Sequence, residues 1–215
     1  MSVPNKTEYT FPFDTCETPT NELFAQPYSV ILNIVSILIV GYFLIQTRTL
    51  HAFILLLSLM VFEFAHTFSH FIHIRSGLQT TIVHILAYVL NFAFLFALYK
   101  YSGKSPSSAL IIFLTAVLLF DIYAFFNLPF LYYVLTQLLF FFSNFIFYYG
   151  SLSSTMKNRL NIVFILTGII YLGFINEAVN CKKMLEFWPV FPFHAVIEVL
   201  ILFAVYMFCL TFYKV

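Results

Sequence analysis

Residues 61–89 read VFEFAHTFSHFIHIRSGLQTTIVHILAYV, a stretch in which ionisable side chains interrupt long apolar runs. Four of the protein's six histidines lie in it: His66, His70, His73 and His84. At about 100° per residue, Glu63 and the first three of these histidines fall on one face of a helix. Ionisable groups inside a membrane are costly and usually functional. The stretch therefore predicts a polar site within a membrane helix bundle.

The composition is that of a membrane protein. The 215 residues are 62% hydrophobic and 9% charged, whereas soluble domains carry about 25% charged residues. Seven apolar segments are each close to the roughly 20 residues that span a bilayer. They cover residues 28–46, 51–74, 79–99, 107–126, 129–149, 159–179 and 190–212. The sequence therefore predicts an all-α, polytopic membrane protein with a polar N-terminal tail (residues 1–27) and a seven-transmembrane helical domain (residues 28–215). With a net charge of +1 and no basic patch, nucleic acid is not an expected partner.

Basic residues in the connections predict the orientation. With the N-terminus outside the cytosol, the inner connections and the C-terminus hold six Lys and Arg residues, against four in the outer segments. We therefore expect a lumenal N-terminus and a cytosolic C-terminus, in an endomembrane such as the endoplasmic reticulum or Golgi. Asn5 then begins a usable glycosylation sequon. Cys16 and Cys181 also fall on the lumenal side, where a disulfide can form, two unpaired thiols being the alternative.

The same orientation brings several polar groups to a similar depth, toward the outer leaflet. Ser69 and His73 lie near the outer end of the second span, and His84 lies about a turn and a half into the third. In the seventh span His194 and Glu198 are four residues apart, so they share one helix face. Imidazoles and a carboxylate that converge in a dry site suit zinc. A catalytic zinc usually takes three protein ligands and acidifies a bound water.

These residues resemble a known family. The pattern Ser69-x-x-x-His73, a polar residue eleven positions on, and Phe193-His194-Ala195 in the last helix look like the alkaline ceramidases. That family belongs to the CREST superfamily of seven-helix membrane hydrolases, with the adiponectin-receptor-like and GPI-lipid remodelling proteins. The segment Asp14-Thr15-Cys16-Glu17 is similar to the Asp-Trp-Cys-Glu segment of the ceramidase tail.

The resemblance covers the whole architecture and implies a function in sphingolipid metabolism. It implies a bridge between Cys16 and Cys181, a zinc centre, and a membrane lipid as the substrate. The implied reaction is hydrolysis of the amide of a ceramide-type lipid to a sphingoid base and a fatty acid. An ester or a GPI-lipid, as suggested for relatives, is the alternative substrate. Calcium is not expected, because Pro19 stands where the family's tail has an Asn.

The family's site roles carry over only in part. The resemblance makes Ser69 a group that supports the reaction and His73 a zinc ligand. At two family positions this chain differs: an Asp is replaced by His84, and a His by Glu198. The inventory of three histidines, one carboxylate and one serine is unchanged, so we expect a site with rearranged roles.

Two ligand schemes fit that inventory. In the first, His73, His84 and His194 hold the zinc. Glu198 is then the base. In the second, His73, His194 and Glu198 hold the zinc, and His84 lies beside them. In either scheme Ser69 steadies the oxyanion, and Glu198 or His84 passes the proton to the leaving amine.

A site that binds no metal is the competing interpretation. The protein is then a lipid-binding or receptor-like protein without turnover. A third interpretation is a structural subunit of a membrane complex, whose histidines only pack or ligate another metal, such as the iron of a haem.

The remaining polar groups have simpler expected roles. His66 and His70 are interpreted as hydrogen-bonded between helices rather than as spare ligands, with Glu63 accepting from His66. Asp121 is expected to pair with a Tyr or Asn of a neighbouring span. Glu177 is expected to line an entrance or to cap the sixth helix.

Overall fold

The computed structural model describes residues 26–71, 77–128, 130–189 and 191–213. Over these residues the chain is helical, with short connections. The helices are α1 (Pro27–Leu44), α2 (Leu50–Phe71), α3 (Gly77–Ser102), α4 (Ser108–Asn127), α5 (Phe130–Tyr149), α6 (Ser154–Phe187) and α7 (Phe193–Phe212).

Six of these helices, all except α5, are long and apolar enough to cross a bilayer. In α5 the apolar stretch found in the described residues, Val134–Tyr149, is shorter. The predicted class, a polytopic helical membrane protein, is confirmed, while the count of seven spans stays a prediction. The predicted tail lies almost wholly outside the described residues, so its separation from the helical domain also stays a prediction.

Local sequence signals account for several helix starts. Pro27 occupies the first turn of α1, where a missing N–H costs nothing. Ser107 and Ser153 cap α4 and α6, each accepting a hydrogen bond from the backbone N–H three residues on. Helix α6 extends beyond the sixth predicted span, because it runs for 34 residues to Phe187 although its apolar part ends at Glu177. Cys181 therefore lies in a helix and not in a connection.

The bundle is divided into an apolar half and a polar half. Helix α7 packs against α1 and α6, α2 packs against α1 and α3, and α5 packs against α3 and α4. Buried aromatic and aliphatic side chains fill the half that holds the ends of α1, α3 and α7, among them Phe94, Phe140, Tyr148, Phe208 and Phe212. By the predicted orientation this is the cytosolic half. The buried histidines and acids of α2, α6 and α7 occupy the opposite half.

Helices α6 and α7 approach each other closely at Gly173. A Cβ atom there would lie 3.1 Å from both Cγ1 and Cδ1 of Ile197, which is buried. Small residues commonly permit such contacts between membrane helices. We expect Gly173→Val to destabilise the protein by roughly 1–3 kcal/mol through overpacking, measured as a lower melting temperature in detergent. Gly168→Val is the matched control, because a Cβ at Gly168 meets nothing within 4 Å; equal losses would contradict a specific contact.

Candidate metal centre

Six ionisable side chains are buried together in the polar half of the bundle. They are Glu63, His66 and His70 of α2, Glu177 of α6, and His194 and Glu198 of α7, each at most 8% exposed. The spacing on α2 places its three residues on one helix face, as the sequence predicts. His194 and Glu198, four residues apart, share a face of α7 for the same reason.

The carboxylate of Glu198 is the point on which the imidazoles converge. Its Oε1 atom lies 3.1 Å from Nε2 of His194, 3.3 Å from Nε2 of His70 and 3.7 Å from Nε2 of His66. The two Nε2 atoms on α2 are 3.1 Å apart. His66, His70 and Glu198 each offer a ligand atom, and these atoms lie within 4.8 Å of one another. They form a group able to hold a metal ion.

The surroundings of Glu198 fit a cation better than a hydrogen-bond network. Neither of its carboxylate oxygens accepts a hydrogen bond of good geometry from the described residues. A buried carboxylate costs several kcal/mol unless it is paired or coordinates a metal. His66, His70 and Glu198 can therefore hold a metal ion, and His194 lies beside this group with its Nε2 atom 3.1 Å from Glu198.

The second ring nitrogen of two histidines is fixed by an oxygen. Nδ1 of His194 donates to Oε2 of Glu177 at 2.9 Å. Nδ1 of His70 donates to Oε1 of Gln26, since an amide oxygen can only accept. When such a ring is neutral, its Nε2 atom carries a lone pair directed at the site. Metal-binding histidines typically donate their other N–H to a carboxylate or a carbonyl oxygen.

His66 completes this arrangement with a weaker contact. Its Nδ1 atom lies 4.0 Å from Oε2 of Glu63, three residues earlier on α2. Glu63 faces His66 as expected from the sequence, but at a distance longer than a hydrogen bond. All three rings therefore turn Nε2 toward Glu198 and Nδ1 toward an oxygen.

His84 pairs with an acid of α4, whereas the two ligand schemes place it on the zinc or beside it. Its Nε2 atom lies 2.8 Å from Oδ2 of Asp121 on α4, and the hydroxyl of Thr136 on α5 donates to Oδ1 of the same acid. The expectation that Asp121 pairs with a Tyr or Asn is wrong. Among the described residues, His84 is not in the metal-capable group. Both schemes also need His73, which lies outside the described residues, so they stay predictions.

The structure describes two of the other predicted site residues, Ser69 and Cys181, and does not describe Cys16 and Asn5. Ser69 is buried and donates to the carbonyl of Ala65 at 2.8 Å, so its role at the oxyanion stays a prediction. Cys181 is buried in α6. Cys16 and Asn5 lie outside the described residues, so the bridge and the glycosylation stay predictions.

The two α2 histidines do contact other parts of the bundle, as the sequence predicts, but the sequence did not identify Glu198 as their shared partner. His70 does make a hydrogen bond outside its helix, to Gln26, yet both rings also present Nε2 to Glu198. Glu177 does not cap α6, which continues ten residues beyond it, and instead holds His194. One feature of the sequence does point to this cluster. His66 and His70 on α2, and His194 and Glu198 on α7, have the same four-residue spacing, so two antiparallel helices can place the two pairs side by side.

The fold and the site together define a class: a polytopic helical membrane protein with a buried histidine and glutamate cluster able to hold a metal ion. Comparison with protein-family models, with curated proteins and with solved structures finds no match to this chain. The resemblance to the alkaline ceramidases rests on the sequence pattern.

Proposed function

We propose that the protein is a zinc-dependent hydrolase of membrane lipids, and that its substrate is the amide of a ceramide-type lipid. The observation that carries this proposal is the convergence of three imidazole Nε2 atoms on the Glu198 carboxylate inside a membrane bundle. Zinc favours imidazole and carboxylate ligands, and two histidines with one glutamate form a known catalytic ligand set. His66, His70 and Glu198 supply that set here.

The remaining groups of the cluster take supporting roles in this proposal. A zinc ion bound there would supply a Lewis acid and an acidified water. His194 presents Nε2 to the same point, while Glu177 fixes its Nδ1 proton. An imidazole held in this way can accept a proton from the attacking water and deliver it to the leaving amine. His194 thus takes the proton transfer that the sequence schemes give to Glu198 or His84.

The surroundings support a substrate that arrives from the bilayer. The cluster is buried among helices whose outer faces are apolar, with large exposed side chains such as Phe64 and Val196 beside it in sequence. An amphiphilic lipid already lies in that environment. The choice of an amide comes from the resemblance to the ceramidases, which would also add Ser69 as a donor to the oxyanion.

Metal binding without turnover is a second candidate, favoured by one distance. Nε2 of His194 lies only 3.1 Å from Oε1 of Glu198, so His194 is placed to be a fourth ligand. Four protein ligands are typical of a closed, structural zinc site. The protein would then be a lipid-binding, receptor-like or structural membrane protein.

The test combines metal content with lipid turnover. We expect the protein, purified in detergent, to contain about one zinc per chain, measured by mass spectrometry of the metal. It should release fatty acid from a ceramide with a fluorescent acyl chain. A chelator should abolish the release, and added zinc should restore it. An acyl ester of matched chain length tests the preference for the amide.

The results of this test distinguish a zinc-dependent hydrolase from a protein that binds zinc without turnover. Zinc without turnover of either lipid supports the closed, non-catalytic site. A protein without zinc or another transition metal contradicts the metal centre itself. Turnover that survives complete removal of the metal would contradict the zinc-dependent mechanism.

A further inference from the structure

Helix α1 carries polar side chains on the face that it buries. Ser29, Asn33 and Ser36 are each at most 1% exposed, although the helix is otherwise largely apolar. Their spacing places them on one side of the helix. Helix α1 packs against α2 and α7, so this polar face lies inside the bundle.

Two of these side chains have no hydrogen bond in the described part of the chain. Neither the Oδ1 nor the Nδ2 atom of Asn33 is bonded, and neither is the hydroxyl of Ser36. Ser36 differs in this from seven other helical hydroxyls, which donate to the carbonyl four residues earlier. Those hydroxyls belong to Ser58, Thr67, Ser69, Thr115, Ser143, Thr167 and Thr211.

The register between α1 and α2 places Glu63 at the level of Asn33. The backbone N–H of Gln26 donates to the carbonyl of His70 at 3.2 Å, which aligns the start of α1 with the end of α2. Asn33 is seven residues along α1 from that bond, and Glu63 is seven residues back along α2. At 1.5 Å per residue the two side chains lie at the same depth. Glu63 is 2% exposed, and its Oε2 atom has no hydrogen bond among the described residues.

The third wall of this region, on α7, is apolar apart from the buried Cys209 thiol, which lies within electrostatic range of Glu63. His70 contacts His194, and His66 contacts Glu198, so the level of Glu63 corresponds to that of Ile201 on α7. Ile197 and Ile201 both pack in the apolar core. Among the described residues, the ionisable ring placed nearest the Glu63 carboxylate is that of His66, three residues away, at 4.0 Å.

We propose that Glu63, Asn33 and Ser36 form a binding site for a sodium ion between α1 and α2. Hard cations take carboxylate, amide and hydroxyl oxygens as ligands. Such an ion offsets the charge of a buried carboxylate that a bilayer otherwise penalises. A single carboxylate among neutral oxygens suits a monovalent ion, and waters complete the shell and accept from the Asn33 amide. The site shares Glu63 with the surroundings of the proposed zinc centre, since Oε2 of Glu63 faces Nδ1 of His66, but binding of sodium does not require zinc.

The test is the effect of sodium on thermal stability. The full-length protein in detergent is melted in NaCl, KCl and choline chloride at equal ionic strength. A ligand that binds only the folded state raises the melting temperature by mass action. We expect a saturable rise with sodium of roughly 3 to 6 °C at tenfold excess over the dissociation constant. Potassium should have a smaller effect, and choline none.

Two variants locate the effect. Asn33→Leu should abolish the response to sodium. Asn144→Leu is the matched control, because Asn144 on α5 is equally buried and neither of its amide atoms has a hydrogen bond in the described chain; the control should keep the response. Equal melting temperatures for wild type in all three salts would overturn the proposal and leave only water at the site. A sodium response retained by Asn33→Leu would overturn it as well.

The sodium titration of the wild-type protein tests the sodium site even if Asn33→Leu does not fold. Zinc content measured on the same samples distinguishes the two proposals. A rise in melting temperature with sodium in protein that contains no zinc supports the sodium site and contradicts the zinc centre. Protein that contains zinc but does not respond to sodium supports the zinc centre and contradicts the sodium site.

Discussion

Glu198→Gln should remove zinc from the purified protein and abolish turnover of a ceramide-type lipid. The substitution keeps the size of the side chain and removes the charge on which three imidazoles converge. Even residues that only orient metal ligands change affinity by 10- to 100-fold, so loss of a charged ligand should weaken zinc binding by more than about 100-fold. Competition with a chromophoric chelator measures this change.

His66→Ala and His70→Ala should have the same effect, because each removes one ligand of the group. His51→Ala is the matched control. His51 lies on the same helix at its other end, where its ring contacts Tyr101 edge to face. This variant should bind zinc as wild type does. Loss of zinc in the control would point to a general folding defect.

His84→Ala separates this centre from the first ligand scheme of the sequence. With His66, His70 and Glu198 as ligands, the variant should retain zinc, since His84 pairs with Asp121. The first scheme requires that zinc be lost. Lowering the pH should weaken zinc binding in either case, because protons compete for imidazole and carboxylate ligands. Zinc lost in His84→Ala and kept in His66→Ala would contradict a centre formed by His66, His70 and Glu198.

Asp121→Leu should destabilise the protein by about 3–5 kcal/mol, the cost of breaking a buried charged pair. Asp121 is fully buried, and it joins three helices through His84 of α3 and Thr136 of α5. Helix α4 otherwise packs mainly against α5. The melting temperature in detergent measures the loss. Thr115→Val on the same helix is the control, because the Thr115 hydroxyl is exposed and bonds only to its own helix.

A double variant tests whether the loss comes from the uncompensated histidine. Asp121→Leu combined with His84→Leu should recover part of the stability, because two apolar side chains can replace a buried pair at little cost. Folded Asp121→Leu should still bind zinc. A variant that loses zinc but keeps its melting temperature would place Asp121 in the metal centre and contradict this account.

Much of the fold follows from local patterns. Long apolar runs predict the helices, since a backbone inside a membrane must satisfy its own hydrogen bonds. The boundaries differ mainly at α6, because the helix continues to Phe187 after its apolar part ends at Glu177. The common face of Glu63, His66 and His70 follows from helical periodicity, and so does the pairing of His194 with Glu198.

Local patterns do not predict which side chains of different helices contact each other. A periodic pattern gives the face of a helix but neither its neighbour nor the level at which the two helices meet. Glu177 is 17 residues before His194, yet the packing of α6 on α7 joins them at 2.9 Å. The sequence suggests a Tyr or Asn as the partner of Asp121, and both residue types can bind a buried carboxylate. The packing of α3, α4 and α5 instead brings His84 and Thr136 to it.

Composition and the 3.6-residue period, which are local properties, are enough to predict a helical membrane protein in which α2 and α7 each carry a face of histidine and acid. The contacts of His66 and His70 with Glu198, and of His84 with Asp121, follow only from the packing of the helices. The physical reason is that these contacts depend on the relative rotation and depth of helices far apart in the chain, which packing of whole helix faces sets.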